Sequence, residues 1–331
     1  MTAPIRLALI GAGIYARDEH VPAIKRLGDT FQVAAVYSRT QASAAALASH
    51  LPNKVDLYTE LDPLLNRDDI EAVDILLPID VMPPVVETAL ASGKHVISEK
   101  PIAPDVASAR RLMQAQRGQV WMVAENWRYE DAFQQAEPII KGGEIGRLLL
   151  CHWPLHIPMT PQNKYYHTAW RRSGDFPGGF LLDGGVHHAA VMRMLLGNIR
   201  QVSAYTVQMR ADLPPADTMS AALQFESGLI GAYAVTYTTA APWPPALHVI
   251  GERGAIRVHR GELQVTRDGE TTLVPVTAAK GVERELAAFA AAVRGRPAQV
   301  YPPEEALHDV AVVEAMLRSA ETGCAVQPEG I

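Results

Sequence analysis

Cysteine is scarce in this chain of 331 residues: Cys151 and Cys324 are the only two, and neither belongs to a C-x-x-C pair. A disulfide framework and a thiolate metal cluster are thereby excluded, and a reducing, cytoplasmic compartment is the expectation. Basic charge is also short. Thirty Lys and Arg face 36 Asp and Glu, a formal net charge of −6, so no surplus exists to neutralise a phosphate backbone or an anionic bilayer. Neither nucleic acid nor a membrane is an expected partner. A secretory leader is also not expected, because the apolar segment ending at Gly11 contains Arg6 and no small-residue cleavage site follows it. The one long uncharged run, 227–251, holds Pro242, Pro244 and Pro245 in a Thr- and Tyr-rich pattern, which reads as strand and loop rather than a membrane span.

What is present is an ordinary globular composition, 48% apolar and 20% charged, in a length that suits two domains. The first third repeats one unit, a short β-branched run followed by a turn and an amphipathic stretch. The strand-like runs are 5–10, 31–38, 73–77, 95–98 and 120–123, and the helical ones 16–27, 41–49, 81–92 and 105–117. Such alternation predicts a doubly wound parallel sheet with helices on both faces and ligands at the carboxyl ends of its strands. After residue 124 the rhythm changes. A helix over 131–141, a strand over 147–157, an irregular loop and a glycine-punctuated helix over 179–196 precede a succession of strands from 199 to 277. Consecutive strands without helices predict a mostly antiparallel open sheet. Helices over 282–294 and 303–319 close the chain, the last with Pro in its first turn. The expected class is therefore α/β, with a dinucleotide-binding domain over 1–124 and an α+β substrate and oligomerisation domain over 125–331, whose final helix can pack back on the first.

The turn Gly11-Ala12-Gly13-Ile14-Tyr15-Ala16 ends the first strand and opens the first helix, the context a dinucleotide fingerprint requires. Gly11 permits the tight turn and Gly13 lets a pyrophosphate approach the backbone. Ala16 stands in the third, closely packed position, and Ile14 and Tyr15 sit at the helix N-terminus with its amide donors. At the end of the second strand, where an acidic residue would grip ribose hydroxyls, the chain has Ser38-Arg39-Thr40. A hydroxyl and a guanidinium suit a 2′-phosphate, so NADP(H) is preferred over NAD(H) in this reading. Leu77 and Pro78 end the 73–77 strand at the same carboxyl edge, as do Glu99 and Lys100 after the 95–98 strand. Asp183 and His187 lie four apart on a helix and so share a face, where a carboxylate can fix the tautomer of a general base. Glycine pairs flank them, which points to a close backbone approach. A metal is not expected. His152 and His156 on one strand are about 13 Å apart, and the adjacent His187 and His188 diverge by about 100° around a helix.

These residues together resemble the Gfo/Idh/MocA family of nicotinamide-dependent oxidoreductases over nearly the whole chain. The resemblance rests on Gly11-x-Gly13-x-x-Ala16, Gly93-Lys94-His95-Val96 leading into Glu99-Lys100-Pro101, Glu125-Asn126-Trp127-Arg128, Gly143-Glu144-Ile145-Gly146, and Gly178-Gly179 before Asp183-x-Gly185-x-His187. It implies a Rossmann domain, a C-terminal domain with an open antiparallel sheet over the cofactor, and a homodimer or homotetramer formed through that sheet. The implied catalytic set is Lys100, Asp183 and His187. Asn126 joins the cofactor-binding residues, and Trp170-Arg171 resembles a segment that lies against the nicotinamide. Two positions depart from the pattern, Ala190 and Met82, where the family carries an aspartate and a histidine. The expected reaction passes a hydride between nicotinamide and a secondary alcohol or hemiacetal carbon of a small polyhydroxylated substrate such as a sugar or inositol. A glycosidase that uses its nicotinamide transiently and a non-catalytic nucleotide sensor are the alternatives.

Overall fold

The computed structural model describes residues 3–241, 245–277 and 280–330. Two of the prolines expected to break the 227–251 run, Pro242 and Pro244, lie outside the described residues. The chain forms two compact units, Met1–Asn126 with Lys280–Leu307, and Trp127–Ala279 with His308–Ile331.

The first unit is built on a six-stranded sheet of β1 (Ile5–Ile10), β2 (Phe31–Tyr37), β3 (Asp56–Tyr58), β4 (Ala72–Ile75), β5 (His95–Glu99) and β6 (Trp121–Ala124). All neighbours are parallel, in the order β3-β2-β1-β4-β5-β6. Leu7, Leu9, Val73, Ile75, Val96 and Ile97 are fully buried, as strands covered by helices on both faces require. The crossovers carry α1 (Val21–Arg26), α2 (Gln41–Ala48), α3 (Leu61–Leu65), α4 (Met82–Ala91) and α5 (Val106–Met113). Strand order reverses between β1 and β4, where such sheets open a crevice at their carboxyl ends. Two features depart from the sequence pattern. The first helical stretch starts with a wide π turn, Ala16–His20, before α1. The short β3 and α3 were not foreseen, since three residues with one exposed Asp give no periodic signal.

The second unit begins with α6 (Asp131–Lys141), β7 (Leu148–His156), α7 (Ala169–Arg172) and α8 (Phe180–Leu196). There follow β8 (Ile199–Val207), β9 (Thr218–Phe225), β10 (Ile230–Thr236), β11 (Leu247–Gly251), β12 (Gly254–His259), β13 (Glu262–Arg267) and β14 (Glu270–Val274). The eight strands run β14-β13-β12-β11-β7-β10-β9-β8. Every pair is antiparallel except β7 with β10. Residues alternate along β7 and β10: Trp153, Leu155, Tyr233 and Val235 are buried, while Leu150 and Ile230 face out.

The last helices are α9 (Gly281–Val293) and α10 (Pro303–Thr322). The single division expected near residue 124 contrasts with the grouping of 280–307 with the first unit. There α9 lies along α1, and Arg26 Nε pairs with Glu283 at 2.5 Å while Lys280 Nζ pairs with Glu19 at 2.9 Å. Among the described residues no helix is long and apolar enough to cross a membrane.

Candidate active site

In the first unit the glycine turn is shaped by two different demands. Gly11 has φ +114° and donates its N–H to the Tyr37 carbonyl at 2.9 Å; a Cβ there would overlap the Leu76 carbonyl oxygen. No side chain fits, because the ends of β1 and β4 close on each other at this point. Gly13 is exposed, and a Cβ on it would meet nothing within 4 Å. That open space, beside the amides opening the helix at Ile14 and Tyr15, fits a pyrophosphate, and its negative charge would be favoured by the helix dipole. Ala16 is fully buried, as its packing position demands.

Around this turn the other residues expected to hold a cofactor take distinct places. Ser38 donates its backbone N–H to the Tyr58 carbonyl at 3.1 Å. Thr40 caps α2, its hydroxyl oxygen accepting from the Ser43 N–H at 3.2 Å. Arg39 between them is exposed, and no partner holds it among the described residues. Leu77 and Pro78 follow β4 and are half-buried, and Asn126 is buried just after β6. Glu99 is turned inward: its Oε1 lies 3.3 Å from His20 Nε2, and only 13% of its side chain is exposed. Lys100 follows it, partly exposed.

In the second unit α8 carries Asp183 and His187 one turn apart, Asp183 buried and His187 half-buried. Asp183 Oδ2 accepts from Arg171 Nε at 2.8 Å. The Arg171 guanidinium lies 4.1 Å over the Trp170 ring and 5.3 Å over Tyr165, so the segment expected against a nicotinamide also grips the carboxylate of the acid/base helix. His187 is stacked on Trp127, centroids 5.1 Å apart and planes at 10°. Arg260 covers the same indole ring at 5.3 Å and pairs with Glu130 at 2.6 Å. The neighbouring His188 serves the core instead: it is buried, and its Nδ1 lies 2.8 Å from the Tyr233 hydroxyl.

The glycines around this helix have identifiable causes. A Cβ on Gly184 would overlap the Tyr237 hydroxyl, and one on Gly185 would press Val313 of α10 at 3.1 Å. Gly178 and Gly179 hold φ of +70° and +52°, which L side chains rarely adopt. Tyr237 is buried without a hydrogen-bond partner for its hydroxyl among the described residues. Burial pushes its phenol well up, and the Asp183 charge adds to that. Sequence reasoning missed Tyr237, since a lone Tyr after a strand carries no motif, and it gave no role to Trp127, although that residue lies within the quoted Glu125-Asn126-Trp127-Arg128 segment. Among the described residues no three His, Cys, Asp or Glu side chains gather as a metal set. His152 stacks on His248 of β11 at 4.5 Å rather than approaching His156.

Known proteins share the family and the fold. The model of the oxidoreductase family's NAD-binding Rossmann fold matches residues 5–126, and that of its C-terminal alpha/beta domain matches 138–327. The chain is 34% identical over 340 residues to a dehydrogenase of Fusarium mangiferae, covering 96% of each protein. It is 25% identical over 344 residues to the D-xylose 1-dehydrogenase [NADP(+)] of Haloarcula marismortui, covering 98% of this chain and 93% of the other. The crystal structure of an oxidoreductase from Thermotoga maritima superposes with a TM-score of 0.91 at 34% identity, covering 98% of both chains.

Proposed function

The chain belongs to the Gfo/Idh/MocA oxidoreductase family, and we propose that it passes a hydride between NADP(H) and a secondary alcohol or hemiacetal carbon of a small polyhydroxylated substrate, a sugar or an inositol. The observation that carries the reading is the acid/base helix, where Asp183 and His187 share one face of α8 and Arg171 fixes the carboxylate at 2.8 Å. Gly11, Gly13, Ile14 and Tyr15 would hold the pyrophosphate, with Leu77, Pro78, Glu99, Lys100, Asn126, Trp170 and Arg171 completing the cofactor site. When bound, the nicotinamide supplies the hydride acceptor or donor.

The protein's own residues supply the rest. In the oxidative direction His187 takes the hydroxyl proton. Its ring plane is set by the Trp127 stack, and Asp183, one turn before it on α8, would orient it. The Lys100 ammonium stabilises alkoxide character on the substrate oxygen. NADP(H) over NAD(H) is supported by Arg39, exposed and unengaged at the end of β2 with Ser38 and Thr40 beside it. A sugar substrate is supported by the relative named as a D-xylose dehydrogenase.

The test is a panel of sugars, inositols and keto-sugars followed by cofactor absorbance. Lys100→Met and His187→Ala should each lower turnover about 10²–10⁴-fold, and His187→Ala should spare cofactor affinity; full activity in either contradicts the assignment. Stoichiometric cofactor conversion also separates this reading from a glycosidase, which needs only trace nucleotide.

We also propose a homodimer or homotetramer formed through the outer face of the eight-stranded sheet. Small side chains, Ala222, Ala232 and Ala234, lie there with the exposed Leu150 and Ile230. Light scattering that finds a monomer contradicts this.

A further inference from the structure

Beneath the carboxyl ends of β4 and β5 the first unit buries a polar cluster of which the proposed cofactor site takes only Glu99. His20, the last residue of the π turn, is fully buried; its Nδ1 lies 2.8 Å from Asp74 Oδ2 on β4, and its Nε2 lies 3.3 Å from Glu99 Oε1 on β5. The Tyr15 ring covers it with centroids 5.3 Å apart. Glu285 of α9 is buried nearby, with both carboxyl oxygens unpartnered among the described residues. Asp74 Oδ1 is likewise unpartnered, and the Nε2–Oε1 approach lacks the alignment of a hydrogen bond. Glu125, after β6, adds its charge to the same region.

Charge decides how such a cluster can exist. Two ionised carboxylates out of water need a cation, and His20 is the group placed between them. Burial works against its proton, but Asp74 and Glu99 outweigh burial and hold its pKa well above the ordinary value. Burial pushes Glu285 well up, which favours its neutral form over a third negative charge. Glu99 and Lys100 are chain neighbours of opposite sign. Glu99 ends β5 with its carboxylate held inward at His20, and Lys100 follows it in a bend.

We propose that His20 is a positioning residue that acts on Lys100 through Glu99: its imidazolium holds and neutralises the Glu99 carboxylate inside the sheet, which keeps the adjacent ammonium from pairing with that carboxylate. The cluster does not depend on the substrate, and only its link to catalysis rests on the role proposed above for Lys100. Without the imidazolium, Glu99 swings toward Lys100, and the lysine then holds its own proton more tightly.

The test uses the full-length chain and no substrate. The pH dependence of Lys100 acetylation by acetic anhydride, read by peptide mass spectrometry, reports that amine's proton affinity. In His20→Gln the labelling midpoint should rise by about one pH unit, and adding Glu99→Gln should return it toward the wild-type value. A purely structural His20 would lower the melting temperature of a folded variant and leave the midpoint unmoved, which overturns the proposal. Histidine-labelled wild-type protein keeps the question decidable even if His20→Gln does not fold: NMR should find the His20 ring doubly protonated at pH 7, above the ordinary histidine range, and a neutral ring at pH 7 contradicts the proposal. Absence of dehydrogenase activity would overturn the function proposed above and leave these readouts unchanged.

Discussion

The two units bury charge in opposite ways. In the second, Asp309 of α10 accepts from Arg128 through both oxygens at 2.8 Å and from Arg193 of α8 at 2.7 Å, with every one of these side chains almost fully buried. Arg193 also reaches Asn198 Oδ1 at 3.2 Å and His308 Nδ1 at 3.1 Å. This is a saturated clip in which two fixed cations, neither able to lose its proton, share one anion. In the first unit a titratable cation is shared between carboxylates, and several buried oxygens go unpartnered among the described residues. The difference teaches where to look for chemistry. A network built on arginine only holds helices together, whereas one built on His and Glu beside a strand end can respond to a proton or a ligand.

The contrast is broken most directly by removing the shared anion. Asp309→Ala leaves two guanidinium groups buried without it and should cost the second unit about 3–5 kcal/mol, read by urea unfolding. A loss under 1 kcal/mol would mean that water reaches the clip.

The glycine turn gives the next largest effect and separates folding from binding within three residues. Gly11→Ala should destabilise by about 2–3 kcal/mol, since it meets the Leu76 carbonyl at a positive φ. Gly13→Ala should leave the melting curve within about 0.5 kcal/mol and instead weaken NADPH binding, followed by fluorescence titration. Equal destabilisation by both would deny that the space at Gly13 serves a ligand.

Glu285→Gln probes the titratable cluster. A folded-state pKa raised above the ordinary value near 4.5 means that stability is fully present below that value and is lost as pH rises toward the folded pKa. Glutamine has no proton to lose. The variant should therefore match wild type near pH 4 and gain on it by up to about 1.4 kcal/mol per pH unit above, measured by denaturant unfolding across pH. A gain independent of pH would place an ionised carboxylate there.

The smallest effect is at the surface. Arg39→Ala should weaken NADPH binding about tenfold and change NADH binding less than twofold; equal losses would remove the case for NADP(H).

Much of the fold was legible because its signals are local. Residues 5–10 are an apolar run that ends at a glycine, and β1 has those same bounds; 131–141 carry a helical stripe, and α6 spans them. What the sequence could not show is carried by partners distant along the chain. The parallel pairing of β7 with β10, the grouping of 280–307 with the first unit, and the meeting of residues 20, 74, 99 and 285 all depend on closing long loops. The site divides in the same way. Asp183 and His187 were readable from helical spacing, but the Arg171 partner, the Trp127 stack and the Tyr237 hydroxyl over Gly184 come from other elements. The glycines at 184 and 185 announced a close approach without saying what approached.

Cofactor absorbance during incubation of wild type, Lys100→Met and His187→Ala with NADP(H) and the sugar, inositol and keto-sugar panel decides whether hydride transfer runs through Lys100 and His187. Wild type should convert the cofactor stoichiometrically and only with substrate, and both variants should do so at least about a hundredfold more slowly. Conversion by either variant at the wild-type rate, or no conversion with any member of the panel by a wild-type protein that binds the cofactor, would contradict that route.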